Sequence, residues 1–395
     1  MNAIQKLTDV DFGFVRSDLK KDLLQAIRDY HQDTPLYCFS AEELARTYRQ
    51  FCDLFPGLVT YAVKANPVHQ VIETLVDAGM SAFDVASLAE IELIKQHSPA
   101  AALHYNNPIR SRSENRIAFE EFGVRSFSVD CLSELKKLRE TVGNKAEEVE
   151  ASVRFHLDLG GAGYDFGTKF GATQEEAVEL SREAVRLGFK VSLAFHPGSQ
   201  CRKAEAYRLY ILAAAEIARS ANVDLFRLNV GGGFPVDFPL DDVDALSVYM
   251  SVIKEAVEQA FGDNQPELLC EPGRAMVAGS TVLLTKVKAI KEDGRLYLND
   301  GVYGGFQESH IIRMLPRFEV YTPKAEKKKD RDEAFTVFGP TCDSLDQLPG
   351  KLNLPASIAE EDIVAFYDMG AYGSATTTDF NGYRSDRYQA VTNFD

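Results

Sequence analysis

The chain has 395 residues, 45% hydrophobic and 26% charged, with a formal net charge of −16, which fits a globular protein large enough for one barrel and a smaller second domain. The acidic balance argues against non-specific binding to nucleic acid or an anionic membrane and leaves a small cationic ligand open. No apolar stretch reaches the ~20 residues of a membrane span, and Met1-Asn2-Ala3-Ile4-Gln5-Lys6 lacks the basic start and apolar run of a secretory signal.

From about residue 36 to 275, short apolar runs alternate with helical patterns. Residues 58–63 form a β-type run that delivers Lys64 to a strand end, followed by the turn signal Asn66-Pro67. Strands are predicted at 82–85, 126–129, 152–157, 191–195, 225–230 and 268–270, with helices at 69–78, 88–96, 132–141 and 207–221. This alternation implies βαβ units and a parallel sheet. A count near eight favours a closed (β/α)8 TIM barrel over 36–275. After 276 the pattern changes to β-rich runs at 281–290, 295–298, 334–338 and 363–366 with Gly and Pro turns. With residues 1–35 they predict a separate antiparallel β domain. The charge run 324–333 reads as a solvated loop. Neither GxGxxG nor GxxxxGK[ST] follows a strand, so no dinucleotide or Walker-type site is indicated. The six cysteines (Cys38, Cys52, Cys131, Cys201, Cys270, Cys342) and seven histidines show no metal spacing. A reduced, cytoplasmic chain without a metal is expected.

Four strand-end or turn segments carry chemistry beside Lys64. A lysine amine can form a Schiff base with an aldehyde, although most lysines are solvated surface residues. Gly231-Gly232-Gly233 follows a strand and lets backbone N–H groups approach an anion such as phosphate, or simply makes a tight turn. Glu271-Pro272-Gly273-Arg274 offers a guanidinium for phosphate and a carboxylate for a basic ring nitrogen, or an internal ion pair. In His196-Pro197-Gly198-Ser199-Gln200 a histidine can stack on a planar ring and a serine can donate to phosphate. In Gly339-Pro340-Thr341-Cys342-Asp343, a cysteine beside an acid is a candidate proton donor with a cation-binding neighbour. Together they form the parts list for pyridoxal phosphate, an electron sink whose protein chooses which bond breaks.

On these segments the chain resembles the fold type III pyridoxal-phosphate decarboxylases with an alanine-racemase-like barrel. The resemblance leans to ornithine decarboxylase within the ornithine, lysine and diaminopimelate decarboxylase family. YAVKANP at 61–67, FDVAS at 83–87, FHPGSQ at 195–200, GGGFP at 231–235, EPGR at 271–274, NDGVYG at 299–304, GPTCDSLD at 339–346, MGAY at 369–372 and FNGY at 380–383 stand in family order. The resemblance implies that Lys64 bonds to the cofactor, Asp84 lies near it, and Arg154 orients the ring-side acid Glu271. It implies that His196 stacks on the ring and that Ser199, Gly231, Gly232, Gly233, Gly273, Arg274 and Tyr372 surround the phosphate. Cys342 and Asp343 would reach into a partner subunit's site in a head-to-tail homodimer, and Cys342 would return a proton to the α-carbon. Tyr303 and Phe380 would line the substrate pocket.

The implied activity is decarboxylation of a basic amino acid, first L-ornithine to putrescine in polyamine biosynthesis. L-lysine, or both, is the alternative, followed by diaminopimelate. A non-enzyme alternative is an inactive homologue that binds a regulatory partner. One departure bears on the substrate. The Tyr-Asp pair that eukaryotic-type ornithine decarboxylases carry after NDGVYG is absent from Phe306-Gln307-Glu308-Ser309-His310-Ile311-Ile312-Arg313, where Glu308 is the acid available for a distal ammonium. Pro197 also stands where valine is usual.

Overall fold

The run at 58–63 folds as two short segments, Leu58–Val59 and Tyr61–Ala62, of one strand, and this strand closes a barrel. In this computed structural model, which describes residues 14–15, 21–158, 169–238 and 242–394, the first segment pairs in parallel with Glu267–Cys270 and the second with Ala82–Val85. Between them the order runs through Ala102–Tyr105, Ser126–Val129, Glu150–Arg154, Lys190–Ala194 and Arg227–Asn229, all parallel. The ladder has nine segments. Counting the split strand once gives eight, the expected (β/α)8 number. The split falls at Thr60, whose N–H and Oγ1 both donate to Cys270 O at 3.0 Å.

Strand alternation sorts the side chains. Phe83, Val85, Phe127, Val129, Val153, Leu193 and Leu228 are buried in packing, while Asp84, Ser128, Arg154, Ala194 and Asn229 line one cavity. The helices bury one face each. Glu205–Ala221 turns Tyr207, Tyr210, Ile211, Ala214, Ala215 and Ala218 inward at helical spacing. Tyr210 stacks on Phe195 with ring centroids 4.7 Å apart, and Tyr207 stacks on Phe234 at 5.1 Å. These contacts anchor the strand ends on either side of His196 and the glycine turn. The strand Ala102–Tyr105 and the helices Gln174–Arg186 and Leu246–Phe261 are among the barrel elements absent from the sequence reading.

The chain forms two compact units. One holds Tyr48–Pro235 and Asp242–Ala275; the other holds the described residues before Tyr48 and after Ala275, with 236–238. The expected barrel start at 36 is corrected. Leu36–Phe39 pairs with Thr281–Ile290 in the second unit, Phe39 opposite Thr281 and Leu36 opposite Leu284. A four-residue apolar run does not announce a partner so far along the chain. The second unit is also not purely antiparallel. Thr281–Ile290 pairs antiparallel with Arg295–Leu298 and Ile363–Phe366, but Arg295–Leu298 runs parallel to Asp332–Phe338 and Tyr388–Ala390 runs parallel to Leu36–Phe39. Each parallel pair follows a long crossover rather than a hairpin. Its core joins Leu23, Ile27, Leu36, Cys38, Val282, Leu284, Ile363 and Tyr367.

The charge run at 324–333 is largely exposed and outside any strand up to Arg331, as expected. Its end departs from that, because Lys328 Nζ lies 2.6 Å from the buried Asp362 and a strand begins at Asp332.

Candidate active site

Lys64 lies in a single turn, Val63–Ala65, directly after the strand segment Tyr61–Ala62. Val63 and Ala65 are buried, whereas Lys64 is exposed. Tyr61 donates its hydroxyl to Asn66 O at 3.0 Å, and Asn66 Oδ1 accepts the Val68 N–H at 3.1 Å. The Asn-Pro turn therefore holds the lysine at the strand end. Lys64 lines a cavity of about 230 Å³ shared with Asp84, Asn106, Ser128, Arg154, Lys169, Phe170, His196, Asn229 and Glu271. All but Lys169 and Phe170 come from the strands of one barrel or the turns that follow them, where the fold gathers reactive groups.

The cavity holds two acids, Asp84 and Glu271, and four basic side chains, Lys64, Arg154, Lys169 and His196. Burial, and then the charge of Asp84, raises the Glu271 carboxyl above the usual range, and Asn229, Lys64 and Arg154 pull it back. Burial also raises Asp84, opposed by Lys64, Asn106 and Arg154. Burial lowers the Arg154 guanidinium, and Glu271 opposes that shift most. The Arg154 guanidinium lies 5.4 Å from the Phe170 ring centroid. Burial, with Lys64 and Arg154 nearby, drives His196 well below its ordinary value. Its Nδ1 accepts the Gly198 N–H at 3.1 Å, so the ring is a neutral imidazole.

An anion cradle adjoins these groups. Gly231 and Gly233 adopt φ of +70° and +91°, conformations that favour glycine. A Cβ at Gly231 would meet Phe195 O at 2.1 Å, one at Gly232 would meet Glu271 O at 2.6 Å, and one at Gly233 would meet Gly198 O at 2.5 Å. Only glycine fits at all three positions. Tyr207 donates its hydroxyl to Gly232 O at 2.6 Å. Arg274 follows the buried Gly273 and donates from Nη2 to Ser199 Oγ at 3.0 Å. Backbone N–H groups, a hydroxyl and a guanidinium form a donor set suited to a phosphate.

The remaining expected residues belong to the second unit. Tyr303 donates its hydroxyl to Asp343, and its ring lies 4.8 Å from that of Phe380. The Leu345 N–H donates to Asp343 Oδ1 at 2.9 Å, and with Tyr303 it holds the Asp343 carboxyl below the usual range. The Cys342 N–H donates to Asn381 Oδ1 at 2.9 Å, and Cys342 is exposed. Tyr303, Cys342, Asp343 and Phe380 are thus one group. Glu308 lies on the short helix Gln307–Ile312, and Tyr372 holds a left-handed φ of 56°.

Asn106 and Asn229, absent from the sequence reading, both donate to Glu271. A signal existed for the first. Asn106-Asn107-Pro108 has the same turn chemistry as Asn66-Pro67 and directly follows the strand Ala102–Tyr105. Lys169 and Phe170 carry no recognisable motif. Among the described residues no cluster of His, Cys, Asp and Glu could hold a metal ion, and no helix is long and apolar enough to cross a membrane.

Residues 41–278 match the family model described as "pyridoxal-dependent decarboxylase, pyridoxal binding domain". The chain is 34% identical over 349 residues to an ornithine decarboxylase of Panagrellus redivivus, covering 82% of this chain and 77% of that protein. It is 31% identical over 364 residues to a lysine/ornithine decarboxylase of Selenomonas ruminantium, covering 89% and 88%. It is also 28% identical over 400 residues to antizyme inhibitor 2 of Xenopus laevis, covering 95% and 85%. Among solved structures, the arginine decarboxylase of Paramecium bursaria Chlorella virus bound to agmatine superposes with a TM-score of 0.82 at 26% identity, over 93% of this chain and 98% of that one. The lysine/ornithine decarboxylase of Vibrio vulnificus complexed with putrescine gives 0.79 at 29% identity, over 93% and 96%.

Proposed function

The chain belongs to the pyridoxal-dependent decarboxylases that act on basic amino acids, and from that premise we propose that it converts L-ornithine to putrescine and CO2. The observation that carries this reading is the gathering of Lys64, Glu271 and His196 on one cavity beside the glycine cradle and the Arg274–Ser199 pair.

The cavity's donor set fits pyridoxal phosphate. Bound there, the cofactor supplies an electron sink for the pair left when CO2 departs. Lys64 would hold the cofactor's aldehyde through its Nζ. Ser199, Gly231, Gly232, Gly233 and Arg274 take the phosphate, and Tyr372 is assigned to the same group. Neutral His196 would face the ring without adding charge. Glu271 holds a proton at the ring nitrogen by favouring the charged pyridinium, while Asp84 and Arg154 set the charge around it. Asp343, oriented by Tyr303, receives the substrate's distal ammonium, with Glu308 as a further acid and Phe380 as an apolar wall. Cys342 returns a proton to the α-carbon.

We assign Cys342 and Asp343 to the site of a second copy across a two-fold homodimer. Support comes from exposure of apolar side chains around them, with Leu345 67% and Phe380 40% exposed. The cytoplasm is the proposed compartment, in keeping with six free cysteines.

L-lysine is the second reading, favoured by the likeness to a lysine/ornithine decarboxylase. One methylene discriminates by only ~10–200-fold, so dual activity is compatible with this site. Diaminopimelate carries a distal carboxylate and calls for a cation where Asp343 and Glu308 offer anions. A non-catalytic binding role suits a chain that has lost Lys64, Cys342 or Asp343, and all three are present. Side-by-side measurement of CO2 release from ornithine, lysine, arginine and diaminopimelate tests the reading. Ornithine should give the highest kcat/KM, and no release from any of them would refute a decarboxylase.

A further inference from the structure

Glu271 is held from two sides. Asn106 and Asn229 both direct Nδ2 at one carboxylate oxygen, Oε1. The orientation of the Asn229 amide is set by its other end, since Oδ1 accepts the Gly231 N–H at 2.8 Å and only the NH2 group is left to face Glu271. The turn carrying Asn106 is pinned by Arg110, which is 2% exposed. Arg110 donates from Nη1 to Asn107 O and to Ser128 O, the latter at 2.7 Å, and from Nε to Asn115 Oδ1 at 2.7 Å. Its guanidinium carbon also lies 5.2 and 5.4 Å from the ring centroids of Tyr105 and Phe127. Asn106 also opposes the burial-driven rise of the Asp84 carboxyl, so one amide acts on both carboxylates of the cavity.

Two amide donors on Oε1 have a definite chemical result. Donors stabilise the ionised carboxylate and leave Oε2 as the oxygen available to another N–H group. We propose that Asn106 and Asn229 are positioning residues that clamp Glu271 through Oε1 and present Oε2 to the ring nitrogen of the cofactor. This role rests on the reading of Glu271 as the ring-side acid.

The test compares the affinity of the purified full chain for pyridoxal phosphate with its affinity for the analogue in which CH replaces the ring nitrogen. Phosphate and aldehyde contacts are common to both and cancel in the ratio, so the ratio reports the Glu271–ring contact alone. The unmodified chain should prefer the nitrogen ring, and Glu271→Gln sets the floor. Asn106→Ala and Asn229→Ala should each cut the preference about tenfold, as expected for loss of one charge-assisted hydrogen bond. The double variant should approach the floor. Should an alanine variant fail to fold, Asn106→Ser and Asn229→Ser, too short to reach Oε1, carry the same expectation. Equal weakening of both ligands, or an unchanged ratio, would mean the amides only support the fold and overturns the proposal. If the unmodified chain binds neither ring through Lys64, the family reading of the site fails, and this inference falls with it. If it binds both rings equally, Glu271 does not meet the ring nitrogen and the clamp has no object.

Discussion

Arg274 Nη2 donates to Ser199 Oγ at 3.0 Å, joining two strand ends that lie 75 residues apart in sequence. Ser199 follows Gly198, against whose carbonyl Gly233 packs too closely to allow a Cβ. The pair therefore closes one side of the anion cradle.

Replacing Arg274 by Ala should weaken pyridoxal phosphate binding about 10- to 100-fold, since a charge-assisted hydrogen bond contributes about 1.5–3 kcal/mol. Arg274→Lys keeps the charge but loses the planar fork and should fall in between. Titration of the bound-cofactor absorbance measures both. A lysine variant as tight as the parent would show that charge alone matters.

Lys64→Ala should remove the borohydride-trapped adduct at position 64 and lower turnover by at least about a thousandfold. The fold should hardly notice, because Lys64 is exposed while Val63 and Ala65 are buried. The change in stability should stay within about 0.5 kcal/mol. Peptide mapping after reduction and a urea melt check the two halves separately.

A mixture of Lys64→Ala and Cys342→Ala subunits should regain up to about a quarter of the parent activity. Half of the dimers would be mixed, and each would hold one intact site if sites are shared across a two-fold axis. Each variant alone should remain impaired. Absence of any recovery after co-refolding argues that every subunit is self-sufficient.

The base of the barrel contains a pH-sensitive group. Burial pushes His104 down to about 4, and its Nδ1 lies 3.0 Å from Ser126 Oγ. The unfolded chain binds a proton there at higher pH than the folded chain does, so stability rises with pH between those values. As pH falls from about 6.5 to about 4, the fold should lose roughly 3 kcal/mol at this site. Thermal midpoints across that range should fall less steeply in His104→Gln. Parallel curves for parent and variant would mean that His104 titrates alike in the folded and unfolded chain.

Much of the site was legible in the sequence because its reactive residues stand at punctuated strand ends. Lys64 precedes Asn66-Pro67, Gly231–Gly233 follow a strand, and Glu271 precedes Pro272-Gly273. Turn chemistry is local, so residue types reveal it. The amides escaped for the opposite reason. Asn106 meets Glu271 across 165 residues and Asn229 meets it across 42, and an asparagine at a strand end looks the same whether it faces solvent or a carboxylate. Leu36–Phe39 was misplaced on the same grounds, because its strand partner lies beyond residue 280.

By itself, the amino-acid order determined a strand–helix alternation, a β-rich remainder and a set of groups suited to a phosphorylated aldehyde, since periodicity and turn residues act within a few positions along the chain. Barrel closure decided the rest. Pairing the two halves of the split strand with Glu267–Cys270 and Ala82–Val85 brings distant strand ends around one cavity, and only there do two amides converge on a single carboxylate oxygen.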